Sequence, residues 1–394
     1  MLNDVDANTN NVCVHTIIPE NNYLHKKYDS NHQFRYRFRY MNKPNVRIKD
    51  IALLAGVSEG TVDRVLHNRG KVSKEAAERI MKVLSSNNYK PNLIARTLGA
   101  NKAYRIAVMI PDPKLDPYWT QSSHGLSLAS EEWTQYGVTV EPHYFNHHDK
   151  NSFLQTSLSV FHSKPDGVLA APLFYYAAIP FFKVLKENGI PFVLINTLIP
   201  QAEPLNFIGQ NSFQSGQLAG ELLYYGHRGP SAYAIVHVYE DLDNSPHLIE
   251  KEKGFKAFFG NLRNQDNDVL SLSLGNPDTE QFNKQLEQLV SMPELKGIFV
   301  STSKAFYIAS ALEKLERKDI RLVGYDLIEE NLHYLKAGRI NALINQNPKR
   351  QAIVGVNNLA NYLVFKKEMP GMNLFPLEII TRQNLESYLS SDIH

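Results

Sequence analysis

Ser58 lies in the segment that most resembles a catalytic motif. Residues 56–60 read Gly-Val-Ser-Glu-Gly, the G-x-S-x-G spacing that places a hydrolase nucleophile on a tight strand-to-helix turn. Such a turn requires a buried strand before the serine, whereas the apolar residues between Asp50 and Val57 recur at helical spacing. We therefore expect Ser58 to cap a helix, where its hydroxyl can also bind a DNA phosphate. A hydrolase that uses Ser58 remains a remote alternative.

His143, His147, His148 and Asp149 form a second candidate group, because histidine and aspartate are common metal ligands. They follow a predicted strand into a polar loop, with no helix to align their spacing, so we expect surface histidines and neither a metal nor another cofactor. P-loop and dinucleotide fingerprints are absent from the sequence, and so is an acid–base pair, so we expect no enzyme. The single cysteine, Cys13, excludes a disulfide within one subunit and fits a reducing, cytoplasmic setting.

The elements around Ser58 form a helix-turn-helix pattern. A first helix begins near Asp50 and ends at Gly56, a second runs from Glu59 to His67, and a third, capped by Ser73, runs from Lys74 to Ser86. The apolar residues of the first helical pattern are Ile51, Leu53, Leu54 and Val57, and the residues predicted to pack inward from the other two helices are Val62, Val65, Leu66, Ala76, Ile80, Val83 and Leu84. The second helix then turns its polar N-terminal side chains outward, as recognition in a major groove requires.

Positive charge is concentrated in this segment. Residues 47–98 carry ten basic and five acidic side chains, a net charge of +5, whereas the whole chain carries +2. The remainder of the chain is therefore slightly acidic, and the basic field coincides with the helix-turn-helix, where phosphate would be met. A solvated helical surface is the alternative, but it does not explain this coincidence.

The segments on either side of the helices are predicted to be irregular. Residues 1–45 are polar without a periodic apolar face, so we expect a disordered extension, with translation starting at Met41 as a further hypothesis. They contain no signal-peptide pattern, so export is not expected. Pro91 ends the third helical region, and residues 92–98 are too short for a helix that is stable alone. An ordinary linker and a hinge that folds on DNA both fit residues 91–102.

Residues 103–394 alternate between apolar strands and helices. The predicted strands are 105–110, 138–144, 167–171, 192–196, 232–238, 297–300 and 320–325. Continuous apolar strands separated by helices predict an α/β fold with parallel sheets covered by helices on both faces. Ligands of such sheets bind at the carboxyl ends of the strands. With 43% hydrophobic residues, the 394-residue chain can bury a large core, and no apolar stretch reaches membrane-spanning length.

The ordered motifs of the first segment resemble the lac repressor family of bacterial regulators. They are DIA, AGVS, TV, RVL and VS, followed by Tyr89-x-Pro91-Asn92 and Ala95-x-x-Leu98. The resemblance implies base selection by Glu59 and Gly60, a base contact by Arg64, and phosphate contacts by Ser58 and Thr61. Asp63 departs from the usual serine.

The same resemblance implies a role for the linker. In the family this segment pairs with its dimer mate as a hinge helix in the minor groove, so Asn92, Ala95 and Leu98 are predicted to contact DNA. A leucine at the position of Leu98 wedges between base steps and bends the operator.

Residues 104–377 resemble the type I periplasmic sugar-binding fold, in its ribose-binding-protein branch, which this family uses as an effector domain. The residues that match its ligand positions are Asp116, Tyr118, Trp119, Asn196, Thr197, Lys251, Thr302, Asp326 and Gln346. Asn196-Thr197 replaces a usual Asp-Arg pair, and Thr302-Ser303 replaces Asn-Asp. The loss of a charge pair predicts a ligand that is larger than a simple pentose or differently decorated.

These features together predict a cytoplasmic, homodimeric, sugar-responsive transcriptional regulator, a repressor, that binds a near-palindromic operator and no membrane. A solute-binding protein of a transporter is the alternative from another class. The expected headpiece spans 46–90 and the effector-binding core 103–394. Within the core we expect an N-lobe of about 103–203 and 328–345, and a C-lobe of about 207–325 and 347–394.

Overall fold

The computed structural model describes residues 48–66, 70–86, 102–226, 230–262 and 267–390. The predicted extension, the hinge residues Asn92, Ala95 and Leu98, and Cys13 lie outside these ranges. The chain divides into two compact units, residues 1–92 and residues 93–394. No helix in the described ranges is long and apolar enough to cross a membrane.

The headpiece, as we call the described residues 48–86, contains three helices. They are α1 Ile48–Ala55, α2 Glu59–Leu66 and α3 Lys74–Ser86. Gly56 connects α1 to α2 with φ = +63°, a left-handed conformation that suits glycine. Because the residues before Ser58 form a helix, as predicted, the strand that a nucleophile elbow requires is missing there.

The headpiece core is small. It consists of the buried residues Ile51, Ala52, Ala55, Val62 and Ile80, with Val57, Val65, Leu66, Val83 and Leu84 partly buried around them. Leu53 and Leu54 share the apolar pattern of the first helix, but their side chains are 83% and 60% exposed and lie outside this core. A helix of eight residues has only one narrow face for its two neighbours, and α1 fills that face with Ile51, Ala52 and Ala55.

The core unit, residues 102–390, contains two six-stranded sheets. The strands are β1 Tyr104–Pro111, β2 Val138–Phe145, β3 Gly167–Ala170, β4 Phe192–Ile195, β5 Asn206–Gly209, β6 Ala232–Val238, β7 Asp268–Leu274, β8 Leu295–Val300, β9 Arg321–Tyr325, β10 Ala342–Asn345, β11 Met372–Leu374 and β12 Glu378–Ile380. The helices are α4 Tyr118–Thr134, α5 Lys150–His162, α6 Tyr175–Glu187, α7 Ser212–Tyr224, α8 Pro246–Gly260, α9 Glu280–Val290, α10 Ala305–Lys314, α11 Glu329–Lys336, α12 Pro348–Phe365 and α13 Leu385–Leu389.

Each sheet is the centre of one lobe. The order is β11-β5-β4-β3-β1-β2 in the N-lobe and β12-β10-β9-β8-β6-β7 in the C-lobe. All pairs are parallel except β10 with β12, which is antiparallel. Central strands such as β6 are buried at every position, whereas the edge strands β2 and β7 alternate with exposed residues. Helices cover both faces of both sheets, so the predicted α/β fold class is confirmed.

The predicted lobe boundaries are wrong at the second crossing between the lobes. β10 pairs with β9 and therefore belongs to the C-lobe, although residues 328–345 were expected in the N-lobe. α12, expected in the C-lobe, packs on α4 and on the N-lobe strands, with Val356 and Leu359 in the N-lobe core. β5, at residues 206–209, also completes the N-lobe sheet by pairing with β4. The chain thus crosses between the lobes three times, after β5, after β10 and between β11 and β12.

Candidate functional site

The N-terminus of α2 presents the polar side chains of the headpiece. The Ser58 hydroxyl accepts a hydrogen bond from the Thr61 backbone N–H (3.2 Å) and lies 2.9 Å from the Thr61 hydroxyl. Ser58, Glu59, Gly60 and Arg64 are exposed, and Thr61 is partly buried. This puts the five described residues expected to contact DNA within two turns of one short helix. The N-terminus of a helix favours phosphate, and an exposed arginine suits the edge of a guanine.

A cavity of about 360 Å³ lies between the two lobes of the core unit. The N-lobe wall consists of Asp116, Tyr118, Trp119, His147, His148, Leu173, Phe174 and Asn196. The C-lobe wall consists of Tyr239, Glu240, Asp241, Asn244, Ser245, His247, Leu248, Lys251, Leu274, Gly275, Ser301, Thr302, Ser303, Asp326 and Gln346. Most of these residues lie in the loops that follow strands, so the cavity is at the carboxyl ends of both sheets.

Left-handed backbone marks three of these strand ends. Asn196 after β4, Tyr239 after β6 and Asp326 after β9 have φ of +66°, +53° and +63°. Such conformations are uncommon for residues other than glycine and are concentrated at functional sites. All three residues line the cavity, so the strain coincides with the site.

Asp326 is held by the segment that follows β10. Its two carboxylate oxygens accept hydrogen bonds from the backbone N–H of Gln346 (3.1 Å) and from Gln346 Nε2 (2.8 Å). Burial raises the pKa of Asp326 to about 6, although these hydrogen bonds and the Lys251 ammonium act in the opposite direction. The carboxylate therefore accepts a proton about two pH units above its ordinary range.

Lys251 is a buried cation on the C-lobe wall. Its Nζ donates to the Ser301 carbonyl (2.9 Å) and lies 3.5 Å from the centre of the Tyr325 ring, a cation–π contact. Burial lowers the pKa of Lys251 to about 8, while the carboxylates of Asp326 and Glu240 raise it. Lys251 stays mainly charged at pH 7 and presents a donor to the cavity.

Aromatic rings and amides supply the rest of the lining. Tyr118 and Trp119 are buried at the start of α4 with their rings edge to face, 4.9 Å apart. The Asn196 amide donates to the Tyr118 hydroxyl (2.9 Å). Ring faces cover the apolar side of a sugar, while amide and carboxylate groups bind its hydroxyls. The cavity is therefore chemically suited to a small polyhydroxylated ligand.

Eight of the nine residues expected to bind an effector line this cavity, and Thr197 does not. Thr197 is fully buried, and its hydroxyl bonds to Asn196 Oδ1 (3.1 Å) and to His247 Nδ1 (3.2 Å). It therefore orients Asn196 and His247 from behind the wall. Adjacent residues at a strand end point in different directions, and a match by sequence position does not resolve which one faces the ligand.

His147 and His148, which we expect on the surface, both line the cavity, where His147 is partly buried and His148 is exposed. The two rings are 3.9 Å apart, and His148 stacks on Tyr239 at 4.0 Å. Burial lowers the pKa of each to about 4, so both are neutral at pH 7. Within the ranges given above, no three His, Cys, Asp or Glu side chains are close enough to hold a metal ion together. The only sequence signal for these two residues was their position after a strand.

A buried chain of hydrogen bonds supports the C-lobe wall from behind. His237, next to the last residue of β6, lies 2.8 Å from the Ser301 hydroxyl through Nδ1 and 3.0 Å from Glu252 through Nε2. Burial lowers the pKa of His237, while Glu252 raises it. Because the carbonyl of Ser301 receives the Lys251 ammonium, this chain positions the cation of the cavity.

Comparison with protein families identifies both units. The family model for the periplasmic binding protein domain matches residues 106–367, about two thirds of the 394-residue chain. A second model, described as bacterial regulatory proteins of the lacI family, matches residues 47–92. The chain belongs to the periplasmic-binding-protein domain family, and its residues 47–92 match the lacI family of bacterial regulatory proteins.

Individual relatives are consistent with this assignment. The chain is 28% identical to the HTH-type transcriptional regulator MalR of Streptococcus pneumoniae, over 48% of this chain and 56% of that relative. It thus spans little more than half the length of MalR. It is 27% identical to the ribose operon repressor of Halalkalibacterium halodurans, over 71% of this chain and 80% of the relative.

Solved structures share the two-lobed core. A structure assigned as a LacI transcriptional regulator from Bacteroides fragilis is 29% identical, with a TM-score of 0.66 over 73% of this chain and 100% of that chain. A solute-binding protein of an ABC transporter from Burkholderia graminis, in complex with D-arabinose, is 19% identical, with a TM-score of 0.65 over 73% of this chain and 98% of that chain. At that identity, the second similarity concerns the fold alone.

Proposed function

We propose that this protein is a cytoplasmic transcriptional regulator, a repressor, that binds operator DNA as a homodimer and responds to a small sugar-like effector. The observation that carries the proposal is the presence, in one chain, of a lacI-family headpiece with an exposed polar α2 N-terminus and a polar, aromatic cavity at the strand ends of a two-lobed core. The named repressors among its relatives support the same function. Catalysis has no part in it, and Ser58 acts as a helix cap and phosphate contact.

The two units have separate tasks in this proposal. Ser58 and Thr61 bind phosphates and fix the position of α2, and Arg64, with Glu59 and Gly60, reads base edges. Asn92, Ala95 and Leu98 act in the minor groove. Two-fold symmetry of the dimer implies a near-palindromic operator. Asp116, Tyr118, Trp119, Asn196, Lys251, Thr302, Asp326 and Gln346 bind the effector, and Thr197 positions two of its neighbours.

Effector and DNA are linked through the closure of the two lobes. A ligand that binds both walls favours the closed cavity, and closure changes the way in which the N-lobes of a dimer meet. Coupling of two binding sites is reciprocal, so effector and operator change each other's affinity by the same factor. A shift of five- to 150-fold corresponds to the usual coupling of roughly 1–3 kcal/mol.

The test is selection of DNA by the full-length protein from a random duplex library, followed by gel shift with the selected site. We expect a near-palindromic sequence, and we expect Arg64→Ala to lose selectivity by roughly 1–3 kcal/mol per half-site while weak, salt-sensitive binding persists. Asp326→Ala should bind the same DNA but no longer respond to effector. Failure to select any sequence would contradict the proposed regulator and favour a solute-binding protein.

A further inference from the structure

The charges around the cavity are distributed unequally between the lobes. On the C-lobe wall, the two enclosed carboxylates each have a lysine. Lys304 Nζ donates to Glu240 (2.7 Å), and the Lys251 ammonium acts electrostatically on Asp326. Asp241, the remaining acid of that wall, is exposed to water. The N-lobe wall contributes one formally charged residue to the lining, Asp116.

Asp116 has no cationic partner in the described part of the chain. The nearest basic group recorded for it is His147, whose Nε2 lies 3.9 Å from Asp116 Oδ2, beyond hydrogen-bond distance. Burial keeps that histidine neutral, with its pKa lowered to about 4. His148 and His247 are likewise neutral at pH 7, because burial lowers their pKa values to about 4 and about 3. The three histidines of the cavity therefore do not neutralise the carboxylate.

One oxygen of Asp116 is already used and the other is available. Oδ1 accepts the Tyr118 backbone N–H (3.0 Å) at the N-terminus of α4, where the helix dipole favours an anion. Oδ2 has no hydrogen bond within the described ranges. The side chain is 17% exposed, so the carboxylate is only partly hydrated. A carboxylate stabilised by dipoles alone, in a partly dehydrated cavity, attracts a cation strongly.

Unpaired polar atoms point to a ligand in the same place. His147 Nδ1 and Thr302 Oγ1 are buried without a hydrogen-bond partner in the described chain, and the His147 side chain is only 7% exposed. Both residues line the cavity, one on each wall. Buried polar atoms normally have partners, so the cavity walls leave hydrogen-bonding capacity unsatisfied at these two atoms. Beside Asp116, Tyr118 and Trp119 offer aromatic rings that attract cations.

We propose that the effector carries a protonated amine, bound by Asp116, on a body rich in hydroxyl groups, as in an amino sugar or an aminated cyclic polyol. The ammonium donates to Asp116 Oδ2 on the N-lobe wall, and the hydroxyls bond to Asp326, Gln346 and Asn196. The inference rests on the proposed function as an effector-responsive regulator and narrows its ligand class.

The test is isothermal titration of the full-length protein at pH 7 with matched sugars. D-glucosamine, D-galactosamine and D-mannosamine are each compared with the parent sugar, and with the N-acetylated derivative, in which the amine is neutral. In at least one set we expect the amine to bind about ten- to hundredfold more tightly than both neutral members, as one charge-assisted hydrogen bond implies. Binding of the parent sugar as tight as that of its amine in every set, or no binding of any amine, would overturn the proposal.

Two matched variants locate the effect. Asp116→Asn keeps an acceptor for the Tyr118 N–H but removes the charge, so the preference for the amine should fall to less than about threefold. Asp112→Asn is the control, because Asp112 lies in the same loop, bonds to the Lys114 N–H and is not part of the lining. An undiminished preference in Asp116→Asn would contradict the assignment. Should Asp116→Asn fail to fold, the matched sugars still decide the outcome with the wild-type protein.

The outcomes separate this inference from the function on which it rests. A neutral sugar that binds and shifts operator affinity would overturn the amine and leave the regulator in place. An amino sugar that binds through Asp116, in a protein that selects no DNA, would support the amine and contradict the proposed regulator.

Discussion

Asp326 and Lys251 form an electrostatic pair whose charges depend on burial. Burial raises the pKa of the aspartate to about 6 and lowers that of the lysine to about 8. Between these values both groups are mainly charged, and the cavity offers a ligand a strong acceptor and a strong donor. Outside this interval one of the two becomes neutral, so we expect effector affinity to be highest near neutral pH.

Acidification provides a direct test at Asp326. We expect effector affinity to fall by up to about tenfold per pH unit below pH 6, because a protonated carboxyl loses an acceptor for the ligand. The groups that act on Asp326 are Lys251, Asp116 and the Gln346 amide, and Lys251 stays charged in this window because its pKa is about 8. Titration calorimetry at pH 7, 6 and 5 measures the effect.

Asp326→Asn is the matched variant for this titration, since asparagine tolerates the left-handed backbone at this position. This variant should bind the effector more weakly at pH 7, and its affinity should change less between pH 7 and pH 5. Burial also raises the pKa of Glu240, so a slope that persists in Asp326→Asn would assign the titration to that residue instead.

The same shift affects stability with a definite sign. Between about pH 4 and pH 6, Asp326 is protonated in the folded chain and ionised in the unfolded chain. Asp326 therefore adds to the free energy of unfolding below this window, and that contribution is lost as the pH rises through 6. At neutral pH the buried, ionised Asp326 therefore lowers the free energy of unfolding, while its charge serves ligand binding.

The sequence predicted the residues of the cavity better than their charges or orientation. Positions such as Asp326 and Asn196 follow apolar strands, and the carboxyl-end rule brings them together. The rule does not distinguish Asn196 from Thr197, because the left-handed turn at Asn196 decides which side chain faces inward. Nor does it predict that His147 is buried, since the groups around it come from both lobes.

At the level of elements, two glycines set the distance between α7 and α8. A Cβ on Gly216 would lie 1.9 Å from the carbonyl oxygen of Lys251, and a Cβ on Gly254 would lie 1.9 Å from that of Phe213. The two helix backbones are therefore in direct contact. Because the contact at Gly216 is made by Lys251 itself, the packing of the two helices fixes the cation of the cavity.

Gly216→Ala should damage both stability and binding. The added methyl group must move α8 away from α7, and overpacking of this kind costs about 1–3 kcal/mol. The shift also displaces Lys251, so effector affinity should fall while headpiece binding to DNA persists. Thermal unfolding and calorimetric titration measure the two effects.

Gly260→Ala is the control, because it also lies in α8 but a Cβ there meets nothing within 4 Å. Replacing a helical glycine by alanine in open space should leave stability unchanged or raise it by roughly 0.5–1 kcal/mol. Equal losses in Gly216→Ala and Gly260→Ala would refute the close-contact explanation.

The pattern of apolar residues predicted most strands but not the sheet to which each belongs. β6 is apolar along almost its whole length and was predicted with its observed bounds. β10 has only four residues, and the apolar pattern predicts neither this strand nor its lobe. Periodicity identifies an element, whereas its sheet is decided by pairing with β9, a long-range contact that the local sequence does not contain.

For the whole core unit, Gln210 joins the three crossings between the lobes. It stands in the first crossing, and its Nε2 donates to the Asn345 carbonyl in the second and to the Pro376 carbonyl in the third, both at 2.8 Å. A single side chain thus ties the segments that must bend when the lobes move. Removing it leaves two carbonyls without this donor.

Gln210→Ala should therefore loosen the hinge. We expect a loss of about 1–3 kcal/mol in the free energy of unfolding and weaker effector binding, because a more open ensemble has to be closed by the ligand. Small-angle scattering without effector should give a larger radius of gyration for the isolated core unit. Gln214→Ala, an exposed position in α7 one turn further along, serves as the control. An unchanged radius and affinity in Gln210→Ala would exclude a hinge role.

The return of α12 and β11 to the N-lobe also has a consequence for synthesis on the ribosome. The headpiece is built from neighbouring residues and can fold soon after it emerges. The N-lobe begins with β1 but lacks part of its core until Val356 and Leu359 have been translated. At roughly 5–20 residues per second, the 150 residues between Gly209 at the end of β5 and Leu359 take on the order of 8–30 seconds, and the face that α12 later covers is only partly covered meanwhile. During that interval chaperones can bind the apolar surface of the N-lobe sheet, which α12 covers in the finished chain.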